Sequence, residues 1–376
     1  MATLEFNAKF TLARLPVGLF ESKKKLLVGL DIGSSCVKVC ELQAVGKGSS
    51  QRFRLQKLGV APVPHDAIVD GDIMDSNAVS TAIRQVLAEQ KIKAKDVAIS
   101  VSGQQVMVKK VTFPLMSPAE LAESVRWEAE SFFPAGQGLD SYALDFAVIE
   151  ERPGDGNMDV VLVACRKDKM EAYLTCVAQA GARPLTVDVD VFALQNAYEA
   201  SASPGARDEV VALVNIGANF TNITMLVGSK SVFWRDISWG GHRFTDKLME
   251  DWGVSREGAE ALKQGQAAEG RTGEEVEPSL SAISDSFADE LGRTIDFFRS
   301  SFKVDRLDRV LLSGGSSKVQ GLADILGDRL RVSVDRFNPF QLIEMDDRSV
   351  DPAAVREIGS SAAIAVGLAL RQVGDR

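Results

Sequence analysis

Short apolar runs alternate with amphipathic helical patterns along most of the chain. The runs at 26–30, 97–101, 160–165 and 210–214 each have the length of one buried strand. Apolar residues recur at helical spacing in two segments, which carry Val79, Ile83, Val86 and Leu87, with Ser76 as capping residue, and Leu280, Ile283, Phe287, Leu291 and Phe298. Strands that alternate with helices in this way indicate an α/β fold.

The segment from 103 to 185 is predicted to be a small α/β unit inserted into the first half of the chain. Ser117-Pro118-Ala119-Glu120 is a capping box with proline at the first helical position. The pattern predicts strands at 106–113, 143–150 and 159–165 and a second helix from Asp168 to about Gly181. This insert contains no glycine turn of a phosphate-binding kind, so we interpret it as a candidate recognition surface.

Two other segments are predicted to lie outside the core. Residues 1–25 form an extension before the first strong strand, and Gly265 to Pro278 is a Gly- and Glu-rich stretch typical of an exposed loop. A short amphipathic docking helix in the extension would use Phe6, Phe10, Ala13 and Val17. Pro16 interrupts that pattern, so a loosely packed leader is an equal alternative.

Composition narrows the classes of function. The formal net charge of -9 argues against nucleic acid binding as the main task. No apolar stretch approaches the ~20 residues that span a bilayer, and the basic cluster at 23–25 follows the apolar residues that it would precede in a signal peptide. We therefore expect a cytoplasmic protein without direct membrane insertion. Four cysteines in no zinc-like spacing, with two histidines, indicate reduced thiols and argue against His-dependent hydrolases.

One short motif occurs twice. Leu30-Asp31-Ile32-Gly33-Ser34-Ser35 aligns without a gap with Val214-Asn215-Ile216-Gly217-Ala218-Asn219, 184 residues later. In both copies an apolar strand leads into a glycine turn and then a second strand, which predicts a hairpin. Backbone N–H groups in such a turn can bind phosphate, and a carboxylate just before it can hold Mg²⁺ through water. The duplication therefore predicts two phosphate turns.

A third glycine turn, Ser313-Gly314-Gly315-Ser316-Ser317, follows an apolar strand and precedes a helix. Such a turn allows close approach of a nucleotide at a helix N-terminus. Neither a Walker A motif nor a dinucleotide fingerprint follows a strand in this sequence. Each glycine turn alone is more typical of a plain hairpin or connector, but three in this order predict a nucleotide site.

These turns resemble the phosphate-1, phosphate-2 and adenosine loops of the actin, Hsp70 and sugar kinase superfamily. Ile358-Gly359-Ser360-Ser361-Ala362-Ala363 is similar to the second connecting helix of that superfamily. The resemblance implies an α/β, actin-like fold, a duplicated ribonuclease H-like architecture with two lobes around a nucleotide cleft. It also implies ATP and Mg²⁺ as ligands.

Within the superfamily the chain resembles the FtsA and PilM branch, and in particular the PilM family of type IV pilus assembly proteins. The segments that carry this closer resemblance are Ile68-Val69-Asp70-Gly71-Asp72-Ile73, Phe113-Pro114, Trp127-Glu128-Ala129-Glu130 with Phe133-Pro134, Val187-Asp188-Val189-Asp190, Gly240-Gly241 and Asn338-Pro339-Phe340. The resemblance implies that 26–102 and 186–209 form subdomain 1A and that 103–185 is an FtsA-type 1C insert. Residues 210–376 would form the second lobe (2A and 2B), with a C-terminal helix that returns to 1A.

The resemblance assigns roles to particular residues. Asp31 and Asn215 would face Mg²⁺ and hold it through water. The nucleotide-binding set would be Asp31, Gly33, Ser34, Ser35, Lys38, Asn215, Gly217, Ala218, Asn219, Gly240, Glu260, Lys263, Gly314, Gly315 and Ser316. For Glu260 and Lys263 a solvated helix face is the alternative. Asp190 would position a water for hydrolysis, although a helix N-cap explains it equally well.

Asn215 departs from the aspartate that most relatives have at the end of the phosphate-2 strand. An amide accepts a hydrogen bond but carries no charge, which weakens the attraction for Mg²⁺. We therefore expect ATP binding with at most slow hydrolysis.

The implied partner is the N-terminal cytoplasmic peptide of a PilN-type inner-membrane protein, bound in a groove between 1A and 1C. Pilus motor ATPases and platform proteins would be further contacts, and the chain would sit peripherally at the inner membrane through its partners. An FtsA-type division protein is the nearest alternative, but FtsA relatives normally carry a terminal membrane-targeting helix that is not evident after the last predicted helix. A small-molecule kinase on the same fold is the alternative from another class.

Overall fold

The computed structural model describes residues 9–10, 25–46, 51–133, 138–202, 208–228, 230–345 and 350–374. The chain divides into two compact units, one made of residues 1–193 with 365–376 and the other of residues 194–364. Each unit has its own sheets and core. The division places 194–209 with the second unit, whereas the resemblance assigned them to 1A.

Within the described residues the first unit contains eleven strands, most of them in one mixed sheet. In chain order its elements are β1 (Lys9–Phe10), β2 (Val28–Ile32), β3 (Cys36–Val45), β4 (Arg52–Pro62), β5 (Ile68–Val69), β6 (Asp72–Ile73), α1 (Ser76–Glu89), β7 (Asp96–Val101), β8 (Val106–Pro114), α2 (Pro118–Glu130), β9 (Tyr142–Arg152), β10 (Asn157–Arg166), α3 (Lys167–Gln179) and β11 (Arg183–Val189). The main sheet has the order β1-β11-β7-β2-β3-β4. Every residue of β2 is buried, as expected of a central strand covered on both faces.

Helix α1 has its cap one residue earlier than the sequence predicts. Asp75 is extended, and its Oδ1 accepts a hydrogen bond from the Ala78 N–H at 3.0 Å, so Asp75 is the N-cap and Ser76 is the first helical residue. The buried face of the helix carries Val79, Ile83 and Val86, as the spacing predicts.

The insert is a three-stranded antiparallel sheet with the order β8-β10-β9, covered on one face by α2. Val125 packs there against Val160 and Leu162. The Ser117–Glu120 capping box that starts α2 is present. The predicted insert runs to 185, but α3 packs with the core of the main sheet and β11 pairs within that sheet. The separate sheet and its helix therefore span 106–166.

The N-terminal extension is described only at β1. Lys9 and Phe10 pair in parallel with Thr186 and Val187 of β11. A strand at these two positions differs from the helix that the spacing of apolar residues would predict. The other residues of that predicted helix lie outside the described residues.

The second unit repeats the topology of the main sheet. Its elements are β12 (Val210–Ile216), β13 (Thr221–Val227), β14 (Lys230–Ile237), α5 (His242–Trp252), α6 (Arg256–Lys263), α7 (Gly273–Phe302), β15 (Arg309–Ser313), α8 (Leu322–Leu330), β16 (Ser333–Arg336) and α9 (Pro352–Ile358), while α4 (Asp190–Ser201) and α10 (Ala363–Ala369) cross the division between units. The sheet order is β14-β13-β12-β15-β16. Its first three strands pair antiparallel and its last two pair in parallel, as do β4-β3-β2 and β7-β11. This duplication confirms the expected two-lobe fold class.

Helix α7 begins inside the stretch that was predicted to be a loop. Thr272 caps it, and Glu275 Oε2 accepts a hydrogen bond from the Thr272 N–H at 2.8 Å, so the helix starts at Gly273 and contains Pro278. Its buried face carries Phe287, Leu291 and Phe298. No helix in the described part of the chain is both long and apolar enough to cross a membrane.

Candidate functional site

The first glycine turn joins β2 to β3. The Gly33 N–H donates to the Cys36 carbonyl oxygen at 3.1 Å, and a Cβ at Gly33 would lie 3.1 Å from that same oxygen. Ser35 is anchored from outside the hairpin, since its carbonyl oxygen accepts from the Val63 N–H at 2.9 Å. The turn is therefore compact and closed by its own backbone.

Asp31 and Lys38 face each other across this hairpin. They are directly opposed in the register of β2 and β3, and Lys38 Nζ lies 3.0 Å from Asp31 Oδ2. Burial lowers the pKa of Lys38, but the Asp31 carboxylate outweighs it, and the net shift is upward. The lysine therefore carries its charge next to the turn, already paired with the predicted metal-facing carboxylate.

The second turn closes in the same way between β12 and β13. The Gly217 N–H donates to the Phe220 carbonyl oxygen at 2.9 Å. Gly33 with Cys36 and Gly217 with Phe220 are thus equivalent pairs, separated by the offset of the sequence repeat. The structure confirms the duplicated hairpin.

Gly240 and Gly241 hold the second turn from the side. The N–H groups of Gly241 and His242 donate to the carbonyl oxygens of Gly217 and Ala218, each at 2.9 Å. A Cβ at Gly240 would lie 2.3 Å from the Ala218 carbonyl oxygen, and one at Gly241 would lie 2.0 Å from Ser316 Oγ. Glycine at both positions lets the backbone come this close.

The third turn packs against the second. Gly314 has φ of 87°, and a Cβ there would lie 2.3 Å from the Ile216 carbonyl oxygen. Ser316 Oγ donates to the Gly217 carbonyl oxygen at 3.2 Å. At Gly315, by contrast, an added Cβ would meet nothing within 4 Å, so this backbone borders open space. The third turn therefore packs against the second turn at Gly314 and Ser316 and borders open space at Gly315.

Glu260 and Lys263 are part of the same cluster. Lys263 is 6% exposed, and its Nζ lies 2.6 Å from Glu260 Oε2 and 3.1 Å from Thr245 Oγ1. Burial lowers the pKa of Lys263, and although burial opposes ionisation of Glu260, the lysine and Thr245 hold the pKa of Glu260 below its usual value. The alternative of a solvated helix face is therefore wrong for Lys263.

Asn215 is buried and its amide is engaged at both ends. Its Oδ1 accepts from Ser313 Oγ at 3.2 Å, and its Nδ2 donates to Asn222 Oδ1 at 2.9 Å. Sequence reasoning did not find Ser313 or Asn222 as partners. The alternation of side chains along β12, β13 and β15 could have placed them on one face, but only the strand register pairs them.

Asp190 is the first residue of α4, in the first unit. Its Oδ1 accepts a hydrogen bond from Ser100 Oγ of β7 at 2.6 Å, which fixes the carboxylate at the junction of strand and helix. The water-positioning and capping roles both stay predictions. Among the described residues no group of three or more His, Cys, Asp or Glu side chains could hold a metal ion.

The predicted residues thus fall into two sets. The second unit brings together the turn at 217–219, Gly240, the Glu260–Lys263 pair and the turn at 314–316. The first unit holds Asp31, the turn at 33–35, Lys38 and Asp190. Each set contains one of the two duplicated glycine turns.

Comparison with known proteins decides the family. The family model described as type IV pilus assembly protein PilM matches residues 29–373. The chain belongs to this family. The expected resemblance to the PilM family is therefore confirmed, and the role of the chain lies in type IV pilus assembly.

Solved structures agree with this assignment to the PilM family. A PilM-PilN type IV pilus biogenesis complex matches with a TM-score of 0.79 and 28% identity, over 93% of this chain and 99% of that one. The ethanolamine utilization protein EutJ from Carboxydothermus hydrogenoformans matches with a TM-score of 0.52 and 16% identity, over 96% and 92% of the two chains, which concerns the fold alone. The fold is actin-like, as expected.

Proposed function

We propose that this PilM-family chain is an ATP-binding cytoplasmic scaffold of the type IV pilus assembly machine, and that it binds the N-terminal tail of a PilN-type inner-membrane protein. The observation that carries the nucleotide half is the packing of the second and third glycine turns against each other, with Gly315 facing open space. In this proposal the chain acts through binding, with ATP hydrolysis at most slow.

Backbone groups supply most of the proposed nucleotide contacts. The N–H groups of Gly33 and Gly217 close their own hairpins, so in this proposal the later N–H groups of each turn, at 34–35 and at 218–219, bind phosphate. Gly314 with Gly315 lets the nucleotide approach the backbone. Glu260 and Lys263 lie beside the second turn and are suited to the ribose and base. Asp31 would hold Mg²⁺ through water, which fits a site with a single carboxylate, since this ion keeps several waters and takes further oxygens from the phosphates.

Thermal unfolding with and without Mg-ATP tests this half of the proposal. Protein that is first shown to be free of nucleotide should gain about 2.7 kcal/mol of stability at an ATP concentration 100 times the dissociation constant. The absence of any shift at millimolar Mg-ATP would refute nucleotide binding.

The partner half is supported by the insert. One matching solved structure is a PilM-PilN complex. In the described insert sheet β8 and β9 are both edge strands, each paired only with β10. An extended peptide can add to such an edge through main-chain hydrogen bonds, with side-chain pockets for selectivity. We therefore propose that the insert forms one wall of a groove between 1A and 1C.

A cavity of about 360 Å³ lies between β6, helix α3 and the ends of the insert strands. Its lining includes Asp72 of β6, Gln105, Arg166 and Tyr173 of α3. Polar groups beside an aromatic ring suit an extended peptide, whose backbone needs hydrogen-bond partners. The cavity supports a groove at this place.

Hydrogen exchange with and without a PilN-type tail peptide tests the partner half. Protection is expected in the insert and in the core strands next to it. Protection confined to other residues would refute the assignment, whatever the affinity. In the same proposal, motor ATPases and platform proteins are further partners, and the chain lies at the inner membrane through PilN.

A further inference from the structure

A row of four polar side chains crosses the sheet of the second unit at the end of the phosphate-2 strand. Ser313 of β15, Asn215 of β12, Asn222 of β13 and Asp236 of β14 are directly opposed from strand to strand. Directly opposed residues lie on the same face of a sheet, so their side chains can bond in sequence. Ser313, Asn215 and Asn222 are all buried, and Asp236 is half-buried.

The hydrogen bonds of this row run in one direction. Asn222 Nδ2 donates to Asp236 Oδ1 at 2.9 Å, which turns the Asn222 oxygen toward Asn215. Asn215 then donates its Nδ2 and turns its own oxygen toward Ser313, whose hydroxyl donates to it. An ionised carboxylate can only accept, so Asp236 at the edge sets the direction of both amides.

The first hairpin has two charged side chains at the equivalent positions. Asn215 and Asn222 are separated by seven residues and directly opposed, as are Asp31 and Lys38 in the equivalent places of the repeat. There the carboxylate faces an ammonium group at 3.0 Å, whereas the second hairpin has two amides. Asn222 turns its oxygen toward position 215, so it can accept a hydrogen bond from an amide there but cannot pair with a carboxylate.

We propose that Asp236 is a positioning residue, which acts through Asn222 to fix a neutral amide at position 215, at the strand end that leads into the second glycine turn. The hydrogen bonds across the sheet then require an amide in place of a carboxylate at position 215. Asp31 would therefore be the carboxylate that attracts Mg²⁺. This inference rests on the proposed nucleotide site, although the direction of the row can be tested without nucleotide.

Asn215→Asp tests the direction of the row. A carboxylate at 215 would face the Asn222 oxygen, and Asn222 cannot turn over without placing that oxygen against Asp236. We expect the melting temperature to fall by about 5 °C, because a buried acceptor loses its donor. In Asn215→Asp/Asp236→Asn the row can reverse, since Asn222 then donates to position 215 and accepts from position 236. The double variant should recover most of the loss.

Asp335→Asn is the matched control for the change in charge. Asp335 is exposed on β16 of the same sheet and bonds to Ser333, outside the row. Combined with Asn215→Asp it should give no recovery. An Asn215→Asp variant as stable as the unmodified chain, or equal recovery from Asp236→Asn and Asp335→Asn, would overturn the proposal.

The Mg²⁺ dependence of ATP affinity gives a readout that a purely structural role would not change. The ratio of dissociation constants in chelator and in Mg²⁺ should rise at least about fivefold in Asn215→Asp/Asp236→Asn, since a carboxylate replaces an amide. An unchanged ratio in a stable double variant that binds ATP would overturn the link to the site. If no variant binds ATP, the proposed function fails, while the stability comparison still decides the direction of the row.

Discussion

Replacing Gly240 by alanine should destabilise the chain, whereas replacing Gly315 by alanine should not. A Cβ at Gly240 would lie 2.3 Å from the Ala218 carbonyl oxygen and 2.6 Å from its carbonyl carbon. These are backbone atoms that cannot rotate away, so the second glycine turn would have to move. At Gly315 a Cβ would meet nothing within 4 Å, and the folded chain can accept it.

The magnitudes follow from these distances. Gly240→Ala should cost about 1–3 kcal/mol of stability, the usual range for overpacking. Gly315→Ala should change stability by less than about 0.5 kcal/mol, as for other surface substitutions. If the nucleotide approaches the Gly315 backbone, the added methyl group meets the ligand instead, and a similar clash of about 1–3 kcal/mol corresponds to roughly 5- to 150-fold weaker ATP binding.

Urea unfolding and calorimetric titration with Mg-ATP separate the two effects. Gly240→Ala is expected to lose stability, and with it the geometry of the turn. Gly315→Ala is expected to keep its stability and lose ATP affinity. Unchanged ATP affinity in Gly315→Ala would refute the placement of the nucleotide at the third turn, and unchanged stability in Gly240→Ala would refute the packing argument.

Three further substitutions address other parts of the account. Lys263→Met leaves the partly exposed Glu260 carboxylate without its cation and should cost about 1–3 kcal/mol in urea unfolding; an unchanged midpoint would contradict this. Burial opposes ionisation of Asp159, but Lys110, Thr112 and Arg152 hold its pKa below the usual value, so its stabilisation is full above about pH 4 and is lost as pH falls further. Asp159→Asn should therefore flatten the acid limb of a stability profile, and an identical limb would argue against that role. Trp127 on α2 is 75% exposed, so Trp127→Ala should leave the melting temperature unchanged. If the outer face of α2 takes part in binding, the same variant should bind the tail peptide about tenfold more weakly in fluorescence anisotropy. An equal affinity would exclude that face.

Local patterns predicted the elements that depend on local physics. The glycine turns after apolar strands gave both hairpins, because a tight turn needs glycine wherever a Cβ would strike backbone. The Ser117–Glu120 capping box placed the start of α2 for the same kind of reason. The equivalent Thr272–Glu275 box was readable too, but the surrounding glycines and glutamates favoured a loop.

Relations across the sheets could not be read in this way. The sequence predicts a helix from Asp168 to about Gly181 but not that this helix packs with the core of the main sheet, so the predicted insert is longer than the separate sheet and its helix. The Ser313–Asn215–Asn222–Asp236 row depends on the register of four strands that are far apart in sequence. A departure at Asn215 was visible from one position, but its reason lies in side chains on the neighbouring strands.

The central proposal is that this PilM-family chain binds ATP and a PilN-type tail, and that bound ATP changes its affinity for the tail. The most direct measurement is a calorimetric titration of the tail peptide into the nucleotide-free chain and into the chain saturated with Mg-ATP. The account predicts binding that a scrambled peptide does not reproduce, with an affinity that differs between the two states. No binding in either state, the same affinity with the scrambled peptide, or an equal affinity for the tail with and without Mg-ATP would contradict it.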